Sequence, residues 1–213
     1  MKKIKRTTGR ISIIGSMLFL LVVLILGLIQ PGYNHFVDTI SVLVLGQWGW
    51  IQNVNFFILA VTTFSFGIGL SISLEKKTIS FMSFVFSLIA LCIISLIFLS
   101  ADAVDRTKVQ LITLNSLHGL IHLFVTMAIV GLTIPLVIRV TNKMKKNPQF
   151  RTLTRYTTIS FTINIVAGIL WFIFRRYGIL FEWKGLWQKM MAVIILVWMG
   201  VMGKVMISAK VRK

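Results

Sequence analysis

The sequence predicts an all-α polytopic membrane bundle of six transmembrane helices, with a short interfacial or re-entrant helix after the first span. Three observations carry that prediction. The 213 residues are 57% hydrophobic and 13% charged, with a mean hydropathy of +0.90, where a soluble domain carries about 25% charged residues. Several uncharged runs approach 20 residues, the length that crosses a hydrocarbon core of about 30 Å. The 23 Lys and Arg, set against 5 Asp and Glu, gather at the ends of those runs. That placement marks topology and contact with membrane lipids, and it argues against nucleic acid as a partner.

The chain starts Met1-Lys2-Lys3-Ile4-Lys5-Arg6, as a signal peptide does. The apolar run 11–29 is too long for a signal core and lacks a small-x-small cleavage site after it, so it reads as an uncleaved first span. Gln30-Pro31-Gly32 stops it. Residues 34–45 then suit a short helix with Asn34 as N-cap and Asp38 in its first turn. Asn34, His35, Asp38 and Ser41 fall on one side of its wheel, and Phe36, Val37, Ile40, Leu43 and Val44 on the other. At 12 residues it is too short to span. The remaining spans are expected at about 54–74, 78–100, 111–138, 156–174 and 186–207. Pro135 is expected to kink the fourth, Asn164 to act as interhelical glue in the fifth, and Lys189 and Lys204 to snorkel in the sixth. Nothing divides the chain, so residues 1–213 form one transmembrane domain.

Six spans put both termini on one side. With that side cytoplasmic, the inside segments hold 17 basic residues and the outside segments 6, the bias expected of a bacterial plasma-membrane protein. Tyr33, Trp48, Trp50, Tyr177, Trp183 and Trp187 all fall near the outer interface. Cys92 is the only cysteine, which excludes an intramolecular disulfide and a cysteine metal cluster.

Chemistry is sought where polar groups converge. His118 and His122, two of the three histidines, lie four apart on one helix face together with Asn115. Ionisable groups in a bilayer are costly and favour cavities or bundle interiors. The topology brings His35, Asp38, Asp102, Asp105, His118 and His122 toward the outer leaflet. His35, His118 and His122 are the candidate nitrogen ligands of a zinc site, and Asp38 or Asp102 the candidate catalytic carboxylate, with Asp105 as a further candidate. Zinc held there would supply a hydroxide for attack on a lipid-like ester or amide. Ser41 and Asn115 are accessory candidates, and Arg175 and Arg176 offer forks for a lipid phosphate. The competing expectation is a non-enzymatic lipid-binding, sensing or immunity protein whose histidines pin helices. Haem ligation is weaker, because all three histidines lie on one side.

Pro31-Gly32-Tyr33-Asn34-His35, Asp38-Thr39-Ile40-Ser41 and Leu117-His118-Gly119-Leu120-Ile121-His122 resemble the family called domain of unknown function 998. Gly185-Leu186-Trp187-Gln188-Lys189 resembles a later motif of that family, which more often has Glu-Arg in place of Gln188-Lys189. The resemblance implies a small polytopic membrane protein of bacteria and archaea, and carries no activity. A looser similarity of chemistry links Ser41, Asp102, His35, His118 and His122 to the alkaline ceramidases and adiponectin-type receptors, which use Ser, Asp and three His around zinc.

Overall fold

The computed structural model describes residues 1–99 and 117–208, apart from the side chains of Arg175, Arg176 and Phe181. Among these residues the chain is helical, without strands. Six helices are long and apolar enough to cross a membrane: α1 Lys2–Ile29, α2 Gly49–Glu75, α3 Phe81–Phe98, α4 Leu117–Lys145, α5 Thr154–Tyr177 and α6 Lys184–Ser208. This is a multi-pass membrane protein. Each expected span coincides with one helix, and several helices continue beyond the apolar run into basic ends. Residues 111–116 of the expected fourth span lie outside the described residues, as does Ser100 of the third.

The helices pack in chain order as a ring. Each touches the next, and α6 closes against α1. The α1–α6 contact is close because Gly9 and Gly203 cross there: a Cβ on either would stand 2.7 Å from the other's carbonyl oxygen. Small residues at a crossing let helix backbones approach, which is how apolar helices gain packing in lipid. Gly15 does the same for α1 and α2, where a Cβ would strike Thr62.

Connections are built from side-chain bonds to backbone. Lys76 adopts a left-handed φ of 56° to end α2, and Ser80 and Ser83 form a reciprocal capping box at the start of α3. Gly178, at φ 71°, ends α5, a conformation that glycine takes without a steric penalty. At the basic end, the nearly buried Glu75 carboxylate accepts from Arg139 at 2.6 Å and lies 3.7 Å from Lys143, tying α2 to α4. At mid-bundle Phe66 and Phe161 meet Trp198 edge-on, at centroid distances of 5.1 and 4.8 Å. The indole N–H of Trp198 donates to Thr157 Oγ1 at 3.0 Å. Pro135 lies inside α4.

The segment between α1 and α2 differs from its expectation. Residues 34–45 do not form one amphipathic helix; only Ile40–Leu45 is helical, as a 3-10 turn. Asn34 caps no helix. Its Oδ1 accepts from Phe36 N at 2.8 Å, and its own N–H donates to Asp38 Oδ2 at 2.7 Å. Asn and Asp side chains compete for nearby backbone groups, which favours turns over helix here.

Candidate functional site

Two polar assemblies occupy the non-basic end of the ring. The first is the folded connection carrying His35, Asp38 and Ser41, pinned to the start of α6. Gly185 N and Leu186 N donate to Phe36 O at 2.8 and 3.0 Å. A Cβ on Gly185 would collide with the Asp38 backbone, so glycine is what lets this loop lie on α6. Ile40 N donates to Gln188 Oε1 at 2.8 Å, which satisfies a free N–H of the 3-10 turn. Lys189 Nζ donates to Asp38 O at 2.6 Å, His35 O at 3.1 Å and Gly185 O at 3.4 Å. The same ammonium stands 5.1 Å from the centre of the Tyr33 ring. Tyr33 in turn donates from its hydroxyl toward the carbonyls of Asp38 and Thr39, both at 3.2 Å. Burial, helped by the Asp38 charge, pushes the Tyr33 phenol well above its ordinary pKa, so it stays a donor.

Asp38 is 1% exposed. His35 packs its ring against Gly27 of α1 and edge-on to Tyr33 at 5.3 Å. Its Nε2 is buried without a hydrogen-bond partner among the described residues. Burial, and then the nearby Lys189 charge, hold the imidazole below its ordinary pKa, so the neutral ring is favoured.

The second assembly is a cavity of about 280 Å³ inside the ring, with walls from all six helices. Ser41, Gln188, His122 and Thr126 line its outer part, and Asn164 its middle. The deeper wall is apolar, including Phe86, Phe161, Leu136 and Trp198. His122 Nδ1 lies 2.8 Å from Leu99 O. A carbonyl only accepts, so Nδ1 carries the proton and the ring bridges α4 to the end of α3. Asn164 donates from Nδ2 to Met191 O at 2.7 Å, joining α5 to α6 as interhelical glue. Ser41 Oγ pairs with Thr39 Oγ1 at 3.1 Å.

The expected site residues are thus distributed. Ser41 and His122 share the cavity wall. His35 and Asp38 belong to the loop assembly, and among the described residues they are not part of that wall. His118 is exposed at the start of α4. Among the described residues no three His, Cys, Asp or Glu are grouped to hold a metal ion. Asp102, Asp105 and Asn115 lie outside the described residues, as do the side chains of Arg175 and Arg176.

Sequence reasoning missed the weight of Gln188 and Lys189. Lys189 is not a snorkelling surface residue; it is the cation around which three carbonyls gather. The available signal was a lysine inside the expected span 186–207, next to a glutamine. Gln52 and Asn55, buried on α2 and bonded to each other at 3.3 Å, were equally visible as polar residues in an apolar run.

No curated protein and no solved structure matches the chain. A family model described as a protein of unknown function, DUF998, matches residues 13–204. That range takes in the loop assembly, the α4 histidines and the start of α6 alike, and the chain belongs to the DUF998 family.

Proposed function

We propose that this membrane protein holds one apolar chain of a lipid-like amphiphile in the cavity, with the polar group at the Ser41, His122 and Gln188 end. The observation that supports this reading is the gradient along the wall, from hydroxyl, imidazole and amide groups to aromatic and aliphatic ones. Ligand sites are typically concave, mostly apolar and equipped with a few polar groups that fix orientation. A volume of about 280 Å³ falls just under the usual range of about 300–1,000 Å³, which favours one chain over two. The same reading places both termini on the cytoplasmic side of a plasma membrane, following the basic bias.

Metal-dependent hydrolysis of an ester or amide is the competing reading. It needs His35, His118 and His122 around one ion, and the exposed His118 and the loop-bound His35 favour ligand holding instead.

Gly168 offers the test. A Cβ there meets Val130 Cγ1 at 3.7 Å and Met191 Sδ at 4.0 Å, ordinary contact, so alanine fits and a leucine side chain enters the cavity. Wild type and Gly168→Ala, purified in mild detergent and extracted, are expected to retain about one amphiphile per chain, as one cavity of this size accommodates. Gly168→Leu should lose it while remaining folded. Equal retention by Gly168→Leu and wild type would defeat the proposal. Elemental analysis of the same samples addresses hydrolysis: zinc near one per chain, lost in His118→Ala, would favour that reading. The orientation is checked in a Cys92→Ser background, where a cysteine at Gln47 should label from outside intact cells and one at Lys146 should not.

A further inference from the structure

A second hollow lies on the outside of the ring, in the face between α1 and α2. It is an open groove of about 410 Å³ lined by Thr7, Arg10, Ile14, Leu18, Phe57 and Val61, with Gly15 and Thr62 at its base. The groove exists because of a sequence choice. Gly15 lets α2 approach so closely that Thr62 fills the space of its missing Cβ, leaving a trough flanked by the exposed Ile14, Leu18, Phe57 and Val61.

Arg10 is at one end. A hydrocarbon core of about 30 Å takes about 20 helical residues. Counted back from Ile29, the last residue of α1, that length ends at Arg10. The guanidinium therefore stands where the apolar part of the membrane meets the head groups, at the basic end of the bundle. From Thr7 to Leu18 the groove runs roughly 16 Å at 1.5 Å per residue, about the depth of one leaflet. Arg10 has no hydrogen-bond or ion-pair partner among the described residues, whereas Arg139 at the same end is paired with Glu75. The neighbouring α1 residues Lys2, Lys3, Lys5 and Arg6 add positive charge without a nearby acid in that helix's first turn.

We infer that the α1–α2 groove is a binding site for an anionic glycerophospholipid of the leaflet at the basic end. Arg10 takes the phosphate as a planar fork suited to its oxygens, with the Thr7 hydroxyl beside it. One acyl chain lies along Ile14, Leu18, Phe57 and Val61. Charge complementarity selects the occupant: a neutral lipid fills the trough equally well but leaves the cation without a net counter-charge. The site is separate from the central cavity and does not rest on the reading of that cavity.

The test uses the full chain in detergent, with phosphatidylglycerol, phosphatidylcholine of the same chains, or glycerol 3-phosphate added, and counts bound lipid by native mass spectrometry. Wild type is expected to prefer phosphatidylglycerol by about fivefold, the factor that one basic residue contributes near an anionic surface. Arg10→Gln should bring that ratio near one, and Arg10→Lys should restore part of it. Leu18→Trp, on an exposed position that tolerates size, should lower binding of both phospholipids by blocking the chain. Lys146→Gln, a control at the same end of the bundle, should leave the preference intact. A preference that survives Arg10→Gln, or glycerol 3-phosphate that competes as well as the phospholipid, overturns the proposal.

Discussion

Helices α2 and α4 are nearly equal in length, 27 and 29 residues, and both are apolar enough to span, yet their surroundings differ sharply. In α2, 56% of the most apolar window is buried by protein; in α4 the figure is 6%. The side of the ring built from α1, α2 and α6 is held by glycine crossings, by Asn55 of α2 donating to Phe19 O of α1 at 3.2 Å, and by the Lys189 assembly. The α4 side carries a proline at 135, whose missing N–H removes the bond to the carbonyl of Gly131. Among the described residues, Gly131 has nothing within 4 Å of where its Cβ would be. The cavity lies where these two regions face each other, so one wall is densely packed on protein and the other, thinly packed, is expected to yield more readily. Apolarity alone does not decide which helix becomes scaffold; small and polar residues at the contacts do.

The contrast is sharpened most strongly by glycine substitutions in the fixed region. Gly185→Ala would drive a Cβ into the Asp38 backbone, which cannot rotate away as a side chain can. Overpacking of this kind costs about 1–3 kcal/mol, and the upper end is expected here because the loop must lift off α6. Thermal unfolding in detergent should show a large fall in Tm. An unchanged Tm would mean that the loop is not held as described.

Lys189→Met comes next. It removes a cation that donates to three carbonyls while keeping most of the apolar stem. Hydrogen bonds to charged groups contribute about 1.5–3 kcal/mol, discounted because Lys189 is only half-buried. A loss of about 2 kcal/mol is expected, together with faster proteolysis within 30–48. Proteolysis unchanged from wild type would show that the loop is held by Gly185 and Gln188 alone.

These two residues also mark the boundary of what one sequence discloses. Hydropathy and length placed all six spans, because crossing a bilayer imposes a local requirement that a window of residues must meet. The ring closure depends on glycines whose partners are far away in the chain, and no local window contains them. Residues 34–45 read as a helix by wheel because the apolar positions have that period. The structure breaks the pattern because the Asn34 side chain accepts from Phe36 N while Asn34 N donates to Asp38. For the site, the sequence located the loop and His122 but not their relation. His122 faces a cavity that Ser41 also lines, and the loop's main partner, Lys189, lies 151 residues from Asp38.

In the yielding region the expected sign reverses. Gly131→Ala meets open space and sits inside a helix, where alanine is favoured over glycine by about 0.8–1 kcal/mol. A small rise in Tm is expected, against the fall for Gly185→Ala. A fall of similar size at both positions would erase the distinction between the two regions.

The smallest effect concerns pH and comes from His35 in the fixed region. Its imidazole is held below the ordinary value by burial first and by the Lys189 charge second. In the unfolded chain the ring titrates near its ordinary pKa of about 6.5. Between that value and the lower folded one, the unfolded state binds more protons than the folded state, so stability falls as pH falls. The contribution of the neutral ring is fully present above about 6.5 and is lost progressively as pH drops toward the folded pKa. Tm measured from pH 7.5 to 5 should therefore decline in wild type, and the decline should be shallower in His35→Gln, which does not titrate. If His35→Gln keeps the wild-type slope, the loop beneath Lys189 is not what acid loosens.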